Sequence, residues 1–486
     1  MPGAQPACHS PDGLPAAEDR APAWPGPPEG QGGSQKPSGN GWPKGPPSLP
    51  YGMVFDAGSS HTSLFVYEWD SDKENDTGVV SQTLACHVQG QGISSYANNP
   101  PEAGNSLREC LAKALEVIPA EKQRDVPAYL GATAGMRLLR YCWGQGVAAV
   151  TELQTYPVAF KGARILTGEE EGAYGWITIN YLLDSFTKVG QGLGGPTSNI
   201  FGALDLGGAS TQITFMPEGS VLRQNEASEF ILYGYRHNIY THSYLCYGQD
   251  EMLQRLAKEL IQSENCSRVR HPCYPEGYEE TVRLSSFRAS PCTAGSDPRL
   301  PLGDGAATLE GRGDASGCRA ALRKLFNFSA CGQSQDCAFD GVYQPPLRGK
   351  FIVRKIRPPT SERRPRCWAV PAAPQRCHLP LSSSYPKENP KRLPKYCANA
   401  NYILTLLLDA YKFNETSWNN IFFQMKAGGA ELGWTLGYML NLTNVVPAEA
   451  PARLKGHRAP LWAAAITFII LTLILGLAAL LLQLWV

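Results

Sequence analysis

The stretch "YGMVFDAGSSHTSLFVYEW", residues 51–69, has a partner at "FGALDLGGASTQITF", residues 201–215. Each copy opens on an aromatic residue and glycine, runs through an apolar strand to Asp and Gly, passes small and hydroxyl side chains, and enters a second strand. An internal repeat of this kind restricts the fold more than any other feature of the chain. Each copy reads as a β-hairpin whose turn is built of small residues, so that its backbone N–H groups can approach an anion closely. A length of 486 residues exceeds one ordinary core, so the two hairpins are expected in a bilobed α/β body, facing one another across a cleft.

The chemistry follows from that geometry. Ser59, Ser60, His61 and Thr62 in the first turn, and Gly207, Gly208, Ala209 and Ser210 in the second, offer amides and hydroxyls to phosphate oxygens. Asp56 and Asp205 stand at the strand ends, suited to a hydrated divalent cation, since Mg²⁺ keeps several waters and takes few direct carboxylates. Two further segments fit the same cleft. "GATAGMRLL", 131–139, brings Thr133 to a glycine-flanked strand end, and "LTGEEEGAYGW", 166–176, puts three carboxylates beside glycines just before the helix-like "GWITINYLLDSF". An acidic run at a helix start often serves only the helix dipole. Beside a phosphate clamp, a carboxylate there is a candidate general base for an attacking water.

Lys plus Arg is 44 and Asp plus Glu is 43, so the overall charge gives no footing for a nucleic-acid partner. The 14 cysteines lack paired zinc-knuckle spacing and read as disulfides. Sequons at Asn75, Asn265, Asn327, Asn414 and Asn441 point to the same secretory compartment. Residues 1–50 are rich in Pro, Gly, Ser and Ala and are expected to be a disordered leader with no signal-like apolar run. Residues 348–376, basic and Pro-rich, show neither strand nor helix periodicity and read as a loop. From Leu461 to Val486 the chain is apolar enough for a transmembrane helix, preceded by a short stalk at 451–460. Arg453, Lys455 and Arg458 before that span would by charge bias leave the body in the cytosol; the sequons and cysteines argue for the opposite side and carry more weight.

"DAGSSHT", "GATAGMR", "EEGAYGW" and "DLGGASTQ", in this order and followed by "GWTLGYMLN", resemble the ecto-nucleoside triphosphate diphosphohydrolases, from about residue 51 to 350 and again from about 377 to 450. The resemblance implies two ribonuclease-H-like lobes of the actin, sugar kinase and Hsp70 fold, with residues 51–167 and 429–450 in lobe I and 168–428 in lobe II. It implies hydrolysis of extracellular nucleoside tri- and diphosphates to monophosphates, dependent on Ca²⁺ or Mg²⁺, by a protein of the plasma membrane. Residue by residue, it makes Glu171 the catalytic base and gives Ser210 and Gln212 the orientation of the attacking water. Ser59, Ser60, His61, Thr62, Thr133, Gly207, Gly208 and Ala209 become phosphate ligands, and Asp56 and Asp205 hold the metal through its waters. Arg392 matches a residue beside the nucleobase, and Trp434 falls in the last motif. The resemblance further implies disulfides Cys86–Cys110, Cys246–Cys292, Cys273–Cys318, Cys331–Cys337 and Cys377–Cys397, leaving Cys8, Cys142, Cys266 and Cys367.

The chain departs from the family pattern at four places, one of them a shortened segment after "GATAGMRLL", where "RYCWGQG" stands for a longer polar helix start. A Pro/Gly-rich leader stands where relatives have an N-terminal span; "FIVRKIRPPTSERRPR" replaces an aromatic run containing a base-stacking Tyr; and Gln249 stands where relatives often have Arg. Two other readings follow from these departures and from the fold. One is a non-catalytic or impaired membrane glycoprotein. The other keeps the fold but acts on inorganic polyphosphate or a sugar hydroxyl. Beyond nucleotide, the expected partner is membrane lipid through 461–486; a homo-oligomer is compatible with the sequence.

Overall fold

In the computed structural model, strand β1 (Tyr51–Ala57) turns back into β2 (Thr62–Trp69), which pairs antiparallel with β3 (Val80–His87); β4 (Pro127–Ala132) and β5 (Ala159–Ile165) add in parallel on the other side of β1. The sheet order is β3-β2-β1-β4-β5. The structure describes residues 51–69, 80–139, 152–186, 200–217, 227–232, 235–264, 266–294, 305–334, 336–354, 392–442 and 466–477. Helix Pro100–Val117 covers one face of this sheet, because Ala103, Leu107, Cys110, Leu111 and Ala114 recur at three- and four-residue steps and are buried.

The second hairpin seeds the same topology again. Strands β6 (Phe201–Leu206) and β7 (Ser210–Phe215) pair antiparallel, β8 (Ala227–Leu232) and β9 (Tyr235–Leu245) extend the β7 side, and a small sheet of β10 (Arg268–His271), β11 (Glu279–Arg283) and β12 (Ala306–Gly311) follows in the chain. Then β13 (Lys350–Arg354) and β14 (Ile421–Phe423) add in parallel beside β6, giving the order β14-β13-β6-β7-β9-β8. Thus β1 and β6 hold equivalent central positions. The repeat read in the sequence is a duplicated sheet topology.

Strand β13 corrects one expectation. The segment from 348 reads as a loop, yet Lys350–Arg354 is a strand whose residues after Lys350 are all buried. A central parallel strand is covered on both faces and shows no alternation, so the run Phe351, Ile352, Val353 carried no period-2 signal to read. Residues 355–376 lie outside the described ones. A second correction concerns helix Gly168–Leu182, which starts ahead of the three carboxylates rather than after them: Thr167 caps it in a capping box with Glu170. Its glycines concealed the helix in the sequence but let it lie close on the second sheet, where a Cβ at Gly172 would stand 2.6 Å from Thr214 Oγ1 and 2.7 Å from Thr241 Oγ1.

Helix Trp434–Leu442 crosses helix Gly168–Leu182 between the two sheets. Gly437 N–H donates to Thr178 Oγ1 at 2.9 Å, and a Cβ at Gly437 would lie 2.1 Å from the Tyr174 carbonyl, so only glycine permits this approach. On the other side Trp434, fully buried, fills the space over Gly131 of β4, and Tyr67 and Thr435 share a hydrogen bond of 2.7 Å. One buried apolar cluster therefore runs through Val54, Trp434, Trp176 and Ile352, joining both sheets. Trp434 belongs to this core.

Disulfides Cys86–Cys110, Cys246–Cys292, Cys273–Cys318 and Cys331–Cys337 are present as the resemblance implies. Cys397 is also disulfide-bonded; Cys377, Cys8, Cys142 and Cys367 lie outside the described residues, and Cys266 is free and exposed. Of the expected membrane span 461–486, residues 466–477 are described and form an exposed helix; among the described residues no helix is long and apolar enough to cross a membrane. The leader 1–50 and the stalk 451–460 lie outside the described residues.

Candidate active site

The two hairpin turns touch. A Cβ at Gly208 would lie 2.7 Å from Ser59 Oγ and 3.4 Å from the Ser60 Cβ, and Gly135, just after β4, is equally tight against the Ser59 backbone. These loops sit at the carboxyl ends of β1, β4 and β6, where ligands of α/β sheets are bound. In the first turn Ser59 is half-buried and Ser60 and His61 are exposed, with Ser60 Oγ 3.1 Å from His61 Nδ1. Thr62 is buried, and its hydroxyl accepts from the Ile93 N–H at 3.2 Å, which leaves its O–H proton for an anion. Thr133 is buried at the start of the turn Ala134–Arg137, and its N–H donates to Ala57 O.

In the second turn, the structure corrects the part assigned to Gly207. Its N–H donates to Ser210 O at 3.0 Å and closes the hairpin, so that amide is not a phosphate donor. The N–H groups of Gly208 and Ala209 have no protein acceptor among the described residues and remain available. Asp250 stands just behind, its Oδ2 2.6 Å from where a Gly208 Cβ would be. Burial pushes the Asp250 carboxyl up, against the opposing pull of Lys395 and Arg392. Arg392 is exposed at the cap of the short turn Leu393–Lys395, on the second sheet's side of the turns.

Glu171, Ser210 and Gln212 do converge. Gln212 Nε2 lies 3.2 Å from Glu171 Oε2 and 2.7 Å from Ser210 Oγ, and all three residues are at most 4 % exposed. Alternation along β7 puts Ser210 and Gln212 on one face, and the helix Gly168–Leu182 lays Glu171 over it. Two residues absent from the sequence reading complete the cluster. Arg137 Nη2 donates to Glu171 Oε2 at 3.0 Å and to Ser210 Oγ at 3.2 Å, while Ser243 Oγ accepts from Gln212 at 3.0 Å. Arg137 was in view as the last residue of "GATAGMR"; Ser243, in a strand of mixed polarity, gave no signal. The cluster presents a carboxylate held by a guanidinium and an amide beside a hydroxyl that both donors also reach, an arrangement suited to holding one water and taking its proton.

The carboxylates meant for a cation are unequal. Asp56 Oδ1 is buried without a hydrogen-bond partner among the described residues, the state expected of an oxygen facing the water of a bound ion. Asp205 is buried too, but its Oδ2 accepts from the Arg354 guanidinium, an ion pair with both members at most 2 % exposed. No group of three or more His, Cys, Asp or Glu among the described residues is arranged to ligate a metal directly. The residues fit a water-held cation at Asp56 and not at a free pair of carboxylates.

Comparison with known proteins matches this architecture. The model of the GDA1/CD39 (nucleoside phosphatase) family matches residues 46–356 and 375–455. Ectonucleoside triphosphate diphosphohydrolase 8 of Bos taurus is 47% identical over 458 residues, covering 90% of this chain and 91% of that protein; the Homo sapiens protein of that name is 47% identical over 461 residues, covering 90% and 92%. Ectonucleoside triphosphate diphosphohydrolase 2 of Gallus gallus is 43% identical over 472 residues, covering 91% and 92%. The crystal structure of nucleoside triphosphate hydrolases from Neospora caninum shares the fold, with a TM-score of 0.55 at 16% identity over 82% of this chain and 94% of that one. A family match over most of the sequence, together with relatives of such identity along nearly its whole length, means that this chain belongs to the GDA1/CD39 (nucleoside phosphatase) family.

Proposed function

We propose that the protein hydrolyses nucleoside tri- and diphosphates to monophosphates and phosphate by direct attack of water. The observation that carries this reading is the convergence of Glu171, Ser210, Gln212 and Arg137 beside two glycine- and serine-rich turns that touch. In this mechanism Ser59, Ser60, His61, Thr62 and Thr133 of one lobe and the amides of Gly208 and Ala209 of the other hold the terminal phosphates. Gln212 and Ser210 orient the water, Glu171 takes its proton, and the turn amides absorb the charge that develops on the phosphoryl oxygens. No covalent phosphoenzyme is needed, because the cluster positions water rather than a nucleophilic side chain. Ca²⁺ or Mg²⁺, held through water at Asp56, would neutralise phosphate charge. Arg392 would lie beside the nucleobase in this reading. Residues 51–167 and 429–450 form one lobe of the clamp in this reading and 168–428 the other.

Four disulfides favour an oxidising compartment, and the apolar segment 461–486 favours a membrane anchor with the body outside the cell. Asn327, Asn414 and Asn441, all exposed, are the described sequon asparagines open to glycosylation. Phosphate release from ATP and ADP by the purified chain, with and without Ca²⁺, tests the activity, and Glu171→Gln tests the base. Activity is expected to fall by roughly three orders of magnitude in the variant. A variant that keeps wild-type turnover would remove Glu171 from the mechanism.

One observation favours a second reading, an impaired enzyme of the same fold. It is the Arg354 guanidinium on Asp205.

A further inference from the structure

Arg354 ends β13 directly in register with Asp205 of β6, so the two side chains leave neighbouring parallel strands on the same face. Both are almost fully buried and paired through Arg354 Nη2 and Asp205 Oδ2, while Arg354 Nε and Nη1 have no acceptor among the described residues. The guanidinium lies flat against helix Gly168–Leu182 at Gly175, where a Cβ would come within 2.8 Å of its Cζ, Nη1 and Nη2. Gly175 is one helical turn beyond Glu171. Arg354 is therefore packed beneath the reactive cluster, at 1 % exposure, out of reach of a substrate phosphate.

We propose that the Arg354 guanidinium acts as a built-in cation at Asp205, competing with a divalent ion for that carboxylate and weakening Ca²⁺ or Mg²⁺ binding by this chain. The inference rests on the reading that the ion is held through water at Asp56, with Asp205 of the other hairpin facing the same ion. A guanidinium cannot give up its charge in a protein, and an ion pair removed from water is held strongly by its low-dielectric surroundings. A carboxylate so engaged offers little field to a second cation. Arg354 also lies beside residue 356, where the match to the family model breaks off.

The test measures Ca²⁺ binding to the full chain by titration calorimetry in the presence of β,γ-methylene ATP, with the Ca²⁺-dependent shift in Tm as a second readout. Arg354→Leu is expected to bind Ca²⁺ at least tenfold tighter and to gain a larger Tm shift, because Ca²⁺ then meets a carboxylate relieved of the guanidinium. Combining it with Asp205→Asn is expected to return the affinity to the wild-type level. If the leucine variant does not fold, Arg354→Gln, which keeps donors for Asp205 and loses only the charge, makes the same comparison. Equal affinities in wild type and variant would overturn the inference and leave the cation reading standing. Absence of Ca²⁺ binding in every chain would overturn both.

Discussion

Arg137 ties the Glu171 carboxylate to the second hairpin: Nη2 lies 3.0 Å from Glu171 Oε2 and 3.2 Å from Ser210 Oγ, and Nη1 donates to Leu166 O at 2.7 Å. The guanidinium thereby spans the strand end of the first sheet, the helix that carries Glu171, and the second sheet. Its role is positioning. Arg137→Ala is expected to lower kcat by roughly 10²-fold with KM changed little, as when a group that orients the base is lost. Arg137→Lys, which restores charge but cannot bridge two acceptors in one plane, should recover only part of that loss. A variant whose KM rises while kcat holds would assign Arg137 to substrate binding instead.

Contact between the turns gives a second expectation. A methyl at Gly208 would meet Asp250 Oδ2 at 2.6 Å and Ser59 Oγ at 2.7 Å, distances that force one jaw of the clamp to move. The strands that carry the turns are anchored in separate sheets, so the strain falls on the spacing of the two turns rather than on either core. Gly208→Ala should reduce kcat/KM by roughly 10- to 100-fold, the loss typical of misplaced binding groups, with Tm nearly unchanged. Steady-state kinetics and a thermal melt on one preparation decide it; wild-type kcat/KM would mean that the jaws are not the phosphate site.

Gly131 should behave in the opposite way. It faces Trp434, and an added Cβ would stand 2.2 Å from the indole and 2.8 Å from Leu166 Cδ1, inside the cluster that joins both sheets. Overpacking here costs about 1–3 kcal/mol. Gly131→Ala is expected to lower Tm by several degrees, and Trp434→Phe in the same chain to restore part of the loss by returning volume. Additive destabilisation by the two changes would show that the glycine is not there for the tryptophan.

What the sequence disclosed and what it concealed both have physical causes. The two hairpins were legible because apolar strands flanking an Asp and Gly turn leave a local pattern, and the convergence of Glu171, Ser210 and Gln212 was implied only by the family resemblance of the motifs that hold them. Arg137 sat inside a quoted motif, but its bridge between Glu171 and Ser210 depends on residues far away in the chain and only folding brings them together. Strand β13 was missed because a strand buried on both faces has no alternation, and its flanking charges masked it. Helix Gly168–Leu182 was misplaced at its start because Gly172 and Gly175, poor helix formers, are demanded by the close approach of β7, β9 and Arg354. The Arg354–Asp205 pair had no local signal at all, since its register depends on the pairing of β13 with β6.

His271 offers a pH test remote from the clamp. It ends β10, its ring stacks on Tyr274 with centroids 3.7 Å apart, and Nδ1 accepts from the Tyr274 N–H at 3.2 Å. Because Nδ1 accepts, the neutral ring carries its proton on Nε2, which is buried with no partner among the described residues, and a second proton would have to enter at Nδ1 and displace the Tyr274 N–H. Burial first, with Lys395 adding to it, pushes the imidazole down to about 3 from an ordinary 6.5. The unfolded chain therefore binds this proton at a higher pH than the folded one. The stabilising difference is fully present above about 6.5 and is lost as pH falls from there toward 3, on the order of a few kcal/mol over the whole window. His271→Phe keeps the stack and discards the proton site; losing the acceptor for Tyr274 N–H costs about 1 kcal/mol at neutral pH. Its Tm should start lower at pH 7.5 and fall less steeply between pH 6.5 and 4, so that the two curves approach or cross. Parallel curves would show that another group carries the acid sensitivity.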